Sequence, residues 1–436
     1  MVTIPEGGSY TLRDATVPLA MVEAPGLAPT ADADGCVRVD IQIDNDRIAS
    51  VAPTTGTGAA GTGDGIALAG RMVWPSPVDM HTHLDKGHIW PRAKNPDGSF
   101  MGALETVHAD RTANWTAADV ATRMDFSLRT AFAHGTAAIR THLDSIPPQP
   151  AISWPVFSDL RERWQGRIEL QAVSLISTLE YVGDTPAYLA DLVAEHQGVM
   201  GLVPLMGDGL EAQLDQFFEL AGQRDLDCDL HVDESEDPSV RTLAQVARAA
   251  LRTGFRGRIT CGHCCSLAVQ PADYVAEVLD LLAEADIAIV SLPMCNLYLQ
   301  DRHAGRTPRW RGVTLLHEMR ARGIEVAAAS DNTRDPFYAY GDLDLVEVFR
   351  EAVRILHLDH PFGDWPALIG RNPAHIMGLD DLGVIRRGAA ADLVILEGRR
   401  FSEVLARPQS RRTVLRAGRA IDTTPPDYAE LDALFQ

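Results

Sequence analysis

The sequence predicts an α/β chain: a (β/α)8 TIM-like barrel with a small β-sandwich domain built from both chain termini. Three observations lead there. Short apolar runs alternate with longer amphipathic ones from about residue 76 to 380. Both ends of the chain read instead as short strands and turns. Polar residues of metal-ligating type recur at the ends of the apolar runs, at separations that fit whole strand–helix units.

Residues 1–75 form the N-terminal part of the small β-domain. Within them, "CVRVDIQIDNDRIASVAP" alternates apolar and polar residues around an "IDNDR" turn, a hairpin signal. The next stretch holds G-x-G-x-x-G at Gly56, Gly58 and Gly61. A dinucleotide fingerprint needs a helix opening at its third glycine, and the "TGDG" that follows cannot begin one, so these glycines read as a turn. Residues 76–380 form the metal-dependent catalytic barrel. A first strand ends at the histidines of "PSPVDMHTHLDK". Further strands are expected at "TAAIRTHLD", "IELQAVSLI", "GVMGLVPLM", "LDCDLHVDE", "GRITCGHCC", "IAIVSLPMC" and "IEVAAASDN". Segments such as "PSVRTLAQVARAALRTG" and "PADYVAEVLDLLAEAD" show helical spacing between them. Residues 381–436, with "LGVIRRGAAADLVILEG" and "RRTVLRAGRAID", return to strands and complete the small β-domain.

Composition narrows the function classes. The 436 residues are 46% hydrophobic and 23% charged, as in soluble globular proteins. A formal charge of -21 argues against nucleic acid and anionic membrane partners, which need a basic patch. No run approaches the ~18 apolar residues of a membrane span, and the first residues lack a signal peptide's basic start and apolar stretch. Six irregularly spaced cysteines (Cys36, Cys228, Cys261, Cys264, Cys265, Cys295) fit a reduced cytoplasmic location better than a disulfide framework.

The polar strand ends carry the chemistry. With about 31 residues per unit, counting from His83 places His231, His263 and Asp331 on units 5, 6 and 8. Those ends form the face where barrel enzymes keep their active sites. His81 and His83, at i and i+2 on one strand, point to the same side and can grip one ion. With His231 and Asp331 they make an N3O set suited to Zn²⁺ or Fe²⁺, leaving a place for water. Glu234, three residues past His231, can carry protons beside that water, and His263 can orient it. His134 and His142 read as satisfied polar residues. Cys261, Cys264 and Cys265 lack a second cysteine pair at zinc-finger spacing and read as buried thiols.

At these residues the chain resembles the amidohydrolase superfamily, and within it the bacterial cytosine deaminase-like group. The matching stretches are "PSPVDMHTHLDK", "TAAIRTHLDS", "HVDES", "CGHCC", "LPMCNLYLQDR", "ASDNTRDPF" and the tail "GVIRRGAAADLVILEG". The resemblance implies His81, His83, His231 and Asp331 as metal ligands. It implies Glu234 as proton shuttle to a ring nitrogen and His263 as the group that, with Asp331, positions the hydroxide. Members with two metals use a carboxylated lysine on strand 4. "IELQAVSLIS", taken as that strand, has none, so one divalent ion per chain is expected. Where the group carries a glutamine that holds the pyrimidine edge, Ser177 stands here. Where it tends to carry a second acid after the metal-binding aspartate, Asn332 stands. "HLDK" and "DN" resemble the N-isopropylammelide amidohydrolase branch, which acts on triazines. The resemblance also implies a homo-oligomer.

The expected activity is that of a metal-dependent aminohydrolase, cleaving an exocyclic C–N bond of a small N-heterocycle such as a pyrimidine or triazine. A cyclic-amide hydrolase opening the ring on the same metal site is the alternative, and a non-catalytic metal- or ligand-binding barrel is a third. Lys86, Ser177, Gln300, Asn332 and Trp90 are the candidate substrate contacts. Only two lysines, Lys86 and Lys94, stand against 37 arginines. A flexible ammonium differs from a fixed guanidinium fork. Lys86 therefore either reaches the substrate or pairs with Asp85 or another acid at the barrel rim. Lys94, in "RAKNPDGS", belongs to a loop covering the mouth.

Overall fold

The expected apolar runs fold as strands in the computed structural model, which describes residues 2–27, 30–54 and 65–435. They are β1 (Val78–Thr82), β2 (Ala138–Asp144), β3 (Glu169–Leu175), β4 (Met200–Leu202), β5 (Cys228–Val232), β6 (Ile259–His263), β7 (Ile287–Ser291) and β8 (Val326–Ala328). β4 to β8 make one sheet whose neighbours pair in parallel. β1, β2 and β3 make a second sheet. Parallel bridges Val173↔Val199 and Ser177↔Val203 link β3 to the β4 side, and Thr82↔Asp331 links the end of β1 to the residues after β8. Each strand thus neighbours the next, and the last neighbours the first. Between β3 and β4 the Ser174 hydroxyl donates to Gly201 O at 3.1 Å and accepts from Gly201 N at 2.9 Å. A Cβ on Gly201 would stand 2.0 Å from Ser174 O, so only glycine permits that approach.

One expectation on strand order is corrected. "IELQAVSLI", expected as the fourth strand, is the third, and β4 follows it. The connection from β1 to β2 holds two helices, Phe100–Asn114 and Ala117–His134, and so uses more chain than an average unit. Neither strand contains a lysine.

The intervening helices bury one face each. Helix Thr242–Thr253 buries Leu243, Val246, Ala247 and Ala250, the i, i+3, i+4, i+7 stripe of an amphipathic helix. Its first turn is capped from outside: Asp233, just after β5, accepts from Thr242 N at 2.8 Å, Thr242 Oγ1 at 2.6 Å and Leu243 N at 3.1 Å. That cap anchors the loop carrying Glu234 to a rigid helix.

Chain compactness divides the protein into two units, residues 80–128, 139–343 and 427–436 forming one and the remainder up to Pro426 the other. In the second unit, strands Cys36–Asp44 and Arg47–Pro53 form the expected hairpin, turning at Asn45 with φ 55°. Asparagine tolerates this left-handed conformation. Cys36–Asp44 also pairs with Ser9–Pro18. Tail strands Leu393–Ile395 and Thr413–Arg416 pair with each other, and Leu393–Ile395 also pairs with Val73–Pro75. Leu12, Ile41 and Ile43 from the first strands share one apolar cluster with Leu393, Ile395 and Leu415 from the tail. Gly56, Gly58 and Gly61 lie outside the described residues.

Asp344 shows how this unit resists acid. It caps helix Leu345–Leu356 by accepting from Val346 N at 3.0 Å, and Arg412 grips both its oxygens, at 2.8 and 2.5 Å. Burial works against its charge, but Arg412 outweighs burial and lowers its pKa to about 2. The folded value lies below the unfolded one of about 3.9. The contribution, roughly 2–3 kcal/mol, is therefore present above pH ~4 and lost as pH falls toward 2. Urea unfolding should show Asp344→Asn destabilised at pH 7, with a smaller further loss than wild type between pH 4.5 and pH 2.5. Parallel pH curves for the two proteins would refute this role.

Candidate active site

β1 ends on His81 and Thr82, with His83 just beyond, while β5 carries His231 and the β8 strand runs out toward Asp331. The closing hydrogen bond, Asp331 N to His81 O at 2.9 Å, ties the two ends together. His81 Nε2 lies 3.1 Å from His231 Nε2, and His231 Nε2 lies 3.3 Å from His83 Nε2. Asp331 Oδ1 stands 3.2 Å from His83 Nε2 and 3.7 Å from His81 Nε2. Donor atoms about 2.0–2.2 Å from one tetrahedral ion are roughly 3.3–3.5 Å apart. The four separations seen here, 3.1 to 3.7 Å, bracket that spacing, so these residues could hold a divalent metal.

Charge state supports the fit. Burial, reinforced by neighbouring histidines and cations, lowers the pKa of His81, His83 and His231 far below the ordinary range. They are neutral at pH 7, so their nitrogens can offer lone pairs to a cation. A second grouping, His81 with His142 and Asp229, is also close enough to be considered. Arg140 Nη1 donates to Asp229 at 2.9 Å and already supplies the positive charge there, which disfavours a second ion. His142, expected as a satisfied polar residue, is instead packed within the imidazole cluster. Its ring centroid lies 4.0 Å from that of His81 and 4.5 Å from that of His231, and neither ring nitrogen has a hydrogen-bond partner among the described residues.

Glu234 and His263 sit beside this group. Their nearest atoms, Oε1 and Nδ1, are 3.4 Å apart. Burial, then the charge of Asp331, pushes the Glu234 pKa well above the usual carboxylate range. Burial holds the His263 imidazole at about 3 and therefore neutral. His263 and Asp331 both adopt positive φ, 68° and 64°, which ends each strand and turns its side chain away from the pleat. Cys261, Cys264 and Cys265 are buried free thiols.

A cavity of about 800 Å³ opens over these residues, lined by His83, His231, Glu234 and His263. Of the candidate contacts, Lys86, Ser177 and Asn332 line it, whereas Gln300 and Trp90 do not. Gln300 is buried, its N–H bonded to Asn296 O at 2.9 Å, and Trp90 N–H bonds to Arg334 O at 2.8 Å. Lys94 is exposed and does not line the cavity. Lys86 Nζ donates to Asp144 Oδ1 at 2.7 Å, and Arg111 Nη1 donates to Asp144 Oδ2 at 2.8 Å. Burial would lower the Lys86 pKa, but Asp144 and Asp85 outweigh it and keep the ammonium charged. Lys86 thus pairs with an acid, as one of the sequence alternatives had it, and it also lines the cavity. Asp85, next to Asp144, is raised to about 7 by burial and by that neighbour's charge.

Four contributors were not named from the sequence. Asp144 ends "TAAIRTHLD" in the same way as the recognised ligands end their strands, which is a usable signal. Arg111 comes from a helix and Glu180 from the turn after β3, where no spacing rule points to a site. Asn296, which contacts Glu234 and His263, lies four residues before Gln300 in the motif "NLYLQDR".

Parallel strand–helix units with three imidazoles, one aspartate and a raised glutamate at the strand ends define a metal-hydrolase type of site. The chain belongs to the amidohydrolase family, whose model matches residues 150–422. It is 54% identical to a pterin deaminase of Rhizobium rhizogenes (strain K84) over 99% of this chain and 98% of that protein. It is 26% identical to N-isopropylammelide isopropyl amidohydrolase of Pseudomonas sp. (strain ADP), over 88% of this chain and 93% of that one. The crystal structure of 5-methylcytosine deaminase from Klebsiella pneumoniae superposes with a TM-score of 0.79 at 22% identity, covering 96% of this chain and 98% of that one. That likeness establishes an α/β fold in common.

Gly262 on β6 holds the cluster together by having no side chain. A Cβ there would stand 2.9 Å from His81 Cε1 and 3.2 Å from His81 Nδ1. The ring cannot retreat without moving Nε2 from its place beside His231. Gly262→Ala should therefore weaken metal binding by roughly 10–100-fold in chelator competition, with far-UV circular dichroism unchanged. Undiminished affinity would contradict this packing.

Proposed function

We propose that this chain is a metal-dependent aminohydrolase that removes an exocyclic amino group from a fused N-heterocycle of the pterin class. Membership of its family makes it a hydrolase of carbon–nitrogen bonds other than peptide bonds. The observation that carries the proposal is the convergence of three Nε2 atoms and Asp331 Oδ1 beside Glu234, at the base of the cavity. The 76–380 segment is the catalytic (β/α)8 barrel in this proposal, closed by the bridges between its two sheets, and 1–75 with 381–436 form the small β-sandwich.

His81, His83, His231 and Asp331 would hold one divalent ion, Zn²⁺ or Fe²⁺. Such an ion lowers the pKa of a bound water toward neutrality and polarises what it touches. Glu234 is the proton carrier. Its raised pKa lets it take a proton from the attacking water and deliver it to a ring nitrogen at pH 7. His263, beside Glu234, orients the water. Lys86, kept charged by Asp144, faces a carbonyl or electron-rich edge of the ring. Asn332 Nδ2 donates to Asp335 Oδ2 at 2.7 Å, leaving its carbonyl toward the cavity and Cys295. Ile176, Leu175, Val203 and Phe337 supply apolar walls that exclude bulk water.

Two things favour a pterin over cytosine. The 54% relative is named for pterin, and a cavity of about 800 Å³ lies in the upper part of the range for drug-sized ligands, roomier than one pyrimidine requires. Six free, buried cysteines support a cytoplasmic location, and among the described residues no helix is long and apolar enough to cross a membrane.

Release of ammonia, and of isopropylamine from N-isopropylammelide, should be measured for the Zn²⁺- and Fe²⁺-loaded protein with pterin, cytosine, 5-methylcytosine and N-isopropylammelide. Pterin is expected to be the best substrate. Preferential turnover of a single-ring substrate would overturn the substrate class, and loss of pterin without free ammonia would replace deamination by ring opening. Glu234→Gln should keep its metal and lose roughly 10²–10⁴-fold in kcat. Retained turnover would remove Glu234 from the proton path.

A further inference from the structure

We infer that Asn296 is a positioning residue that sets the tautomer of His263 and the aim of the Glu234 carboxylate. The inference rests on the proposed aminohydrolase for its meaning in turnover, but its geometry stands independently. Helix Pro293–Leu299 follows β7 and places Asn296 fully buried, between the two groups. Asn296 Nδ2 donates to Glu234 Oε1 at 3.2 Å and lies 3.0 Å from His263 Nδ1. The third side of the triangle, His263 Nδ1 to Glu234 Oε1, is 3.4 Å.

Donor and acceptor rules leave few options within that triangle. An amide nitrogen has two hydrogens and no acceptor, whereas an ionised carboxylate only accepts. One hydrogen of Asn296 Nδ2 is given to Glu234 Oε1, which places the amide nitrogen, not the amide oxygen, on that side. The second hydrogen on Nδ2 then points toward His263 Nδ1. Two donors cannot face each other at 3.0 Å, so Nδ1 must be the accepting nitrogen. A neutral imidazole whose Nδ1 accepts carries its proton on Nε2. His263 Nε2 has no hydrogen-bond partner among the described residues. Asn296 thus leaves Nε2–H as a free donor, available to the oxygen that attacks the ring carbon.

The surrounding structure holds Asn296 in place. Its backbone N–H bonds to Leu292 O at 3.0 Å, and its backbone carbonyl accepts from Gln300 N at 2.9 Å. Gly312, at φ 76°, packs against the same carbonyl, where a Cβ would stand 2.7 Å away. Gln300 therefore serves the site as part of the helix end that fixes Asn296.

The test compares Asn296→Ala and the isosteric Asn296→Asp. Both should retain one metal per chain and a KM within about twofold of wild type, with kcat lower by roughly 10–100-fold. Aspartate fills the same space but sets a carboxylate against Glu234, so it should be no better than alanine. Nitrogen-15 spectra of histidine-labelled protein give a readout independent of turnover. Wild-type His263 should show a protonated Nε2 and a bare Nδ1, and Asn296→Ala should show a tautomer mixture. An active Asn296→Asp, or an unchanged His263 signature in Asn296→Ala, overturns the inference. If wild type releases no ammonia from any aminoheterocycle, the proposed function fails, while the spectra still decide the role of Asn296.

Discussion

The crowding of three neutral imidazole nitrogens and a carboxylate oxygen into one buried space is the constraint from which the rest follows. Their lone pairs converge at separations of 3.1 to 3.7 Å. Without a cation such an arrangement is repulsive, so the surrounding protein must hold it by force of packing. The Asp331 N–H bond to His81 O fixes two of the ligands in register. The glycine at 262 lets the His81 ring lie flat on β6. Arg140 pairs with Asp229 and also donates to Gln171 Oε1 at 2.9 and 3.0 Å, so the Asp229 charge is compensated, and the Arg140 charge helps keep His81 neutral.

Positive charge near such a site has to be placed so that it does not compete for the ligands. Lys86 lies three residues beyond His83, close enough to help lower that residue's pKa. Asp144 draws its ammonium aside at 2.7 Å, and Arg111 completes the neutralisation of the same carboxylate. Lys86 and Arg111 thus line the same cavity as the raised carboxyl of Glu234. A lysine suits this position because its compact ammonium can serve Asp144 and still present hydrogens to a ligand.

Much of the fold was written in the alternation of apolar and amphipathic segments, and each expected strand is present. The clustering of the candidate ligands could be expected for a simple reason: a parallel strand ends at one face, so a polar residue at the end of a buried run projects there. His81, His83, His231, His263, Asp331 and Glu234 all follow that rule. His142 was misjudged because a strand histidine looks the same whether it hydrogen-bonds or stacks, and only its three-dimensional neighbours distinguish them. Strand order slipped at "IELQAVSLI" because two helices, not one, follow β1. Gln300 was chosen over Asn296 because a motif marks a segment, while the helix rotation decides which of its side chains faces inward.

Other residues that line the cavity obey no such rule. Arg111 reaches the cavity from a helix, Glu180 from the turn beyond β3, and Leu205 and Met206 from the loop after β4. Ser177 shows the consequence. Its hydroxyl donates to Glu180, three residues on, so the position that holds a pyrimidine edge in cytosine deaminase-like proteins is here turned toward its own loop. The same cavity is lined by Leu179 and Met206. In the proposed reading the strand ends carry the bond-breaking chemistry and the loops select the heterocycle. Motifs confined to strand ends can identify the chemistry of such a chain and still leave its substrate unnamed.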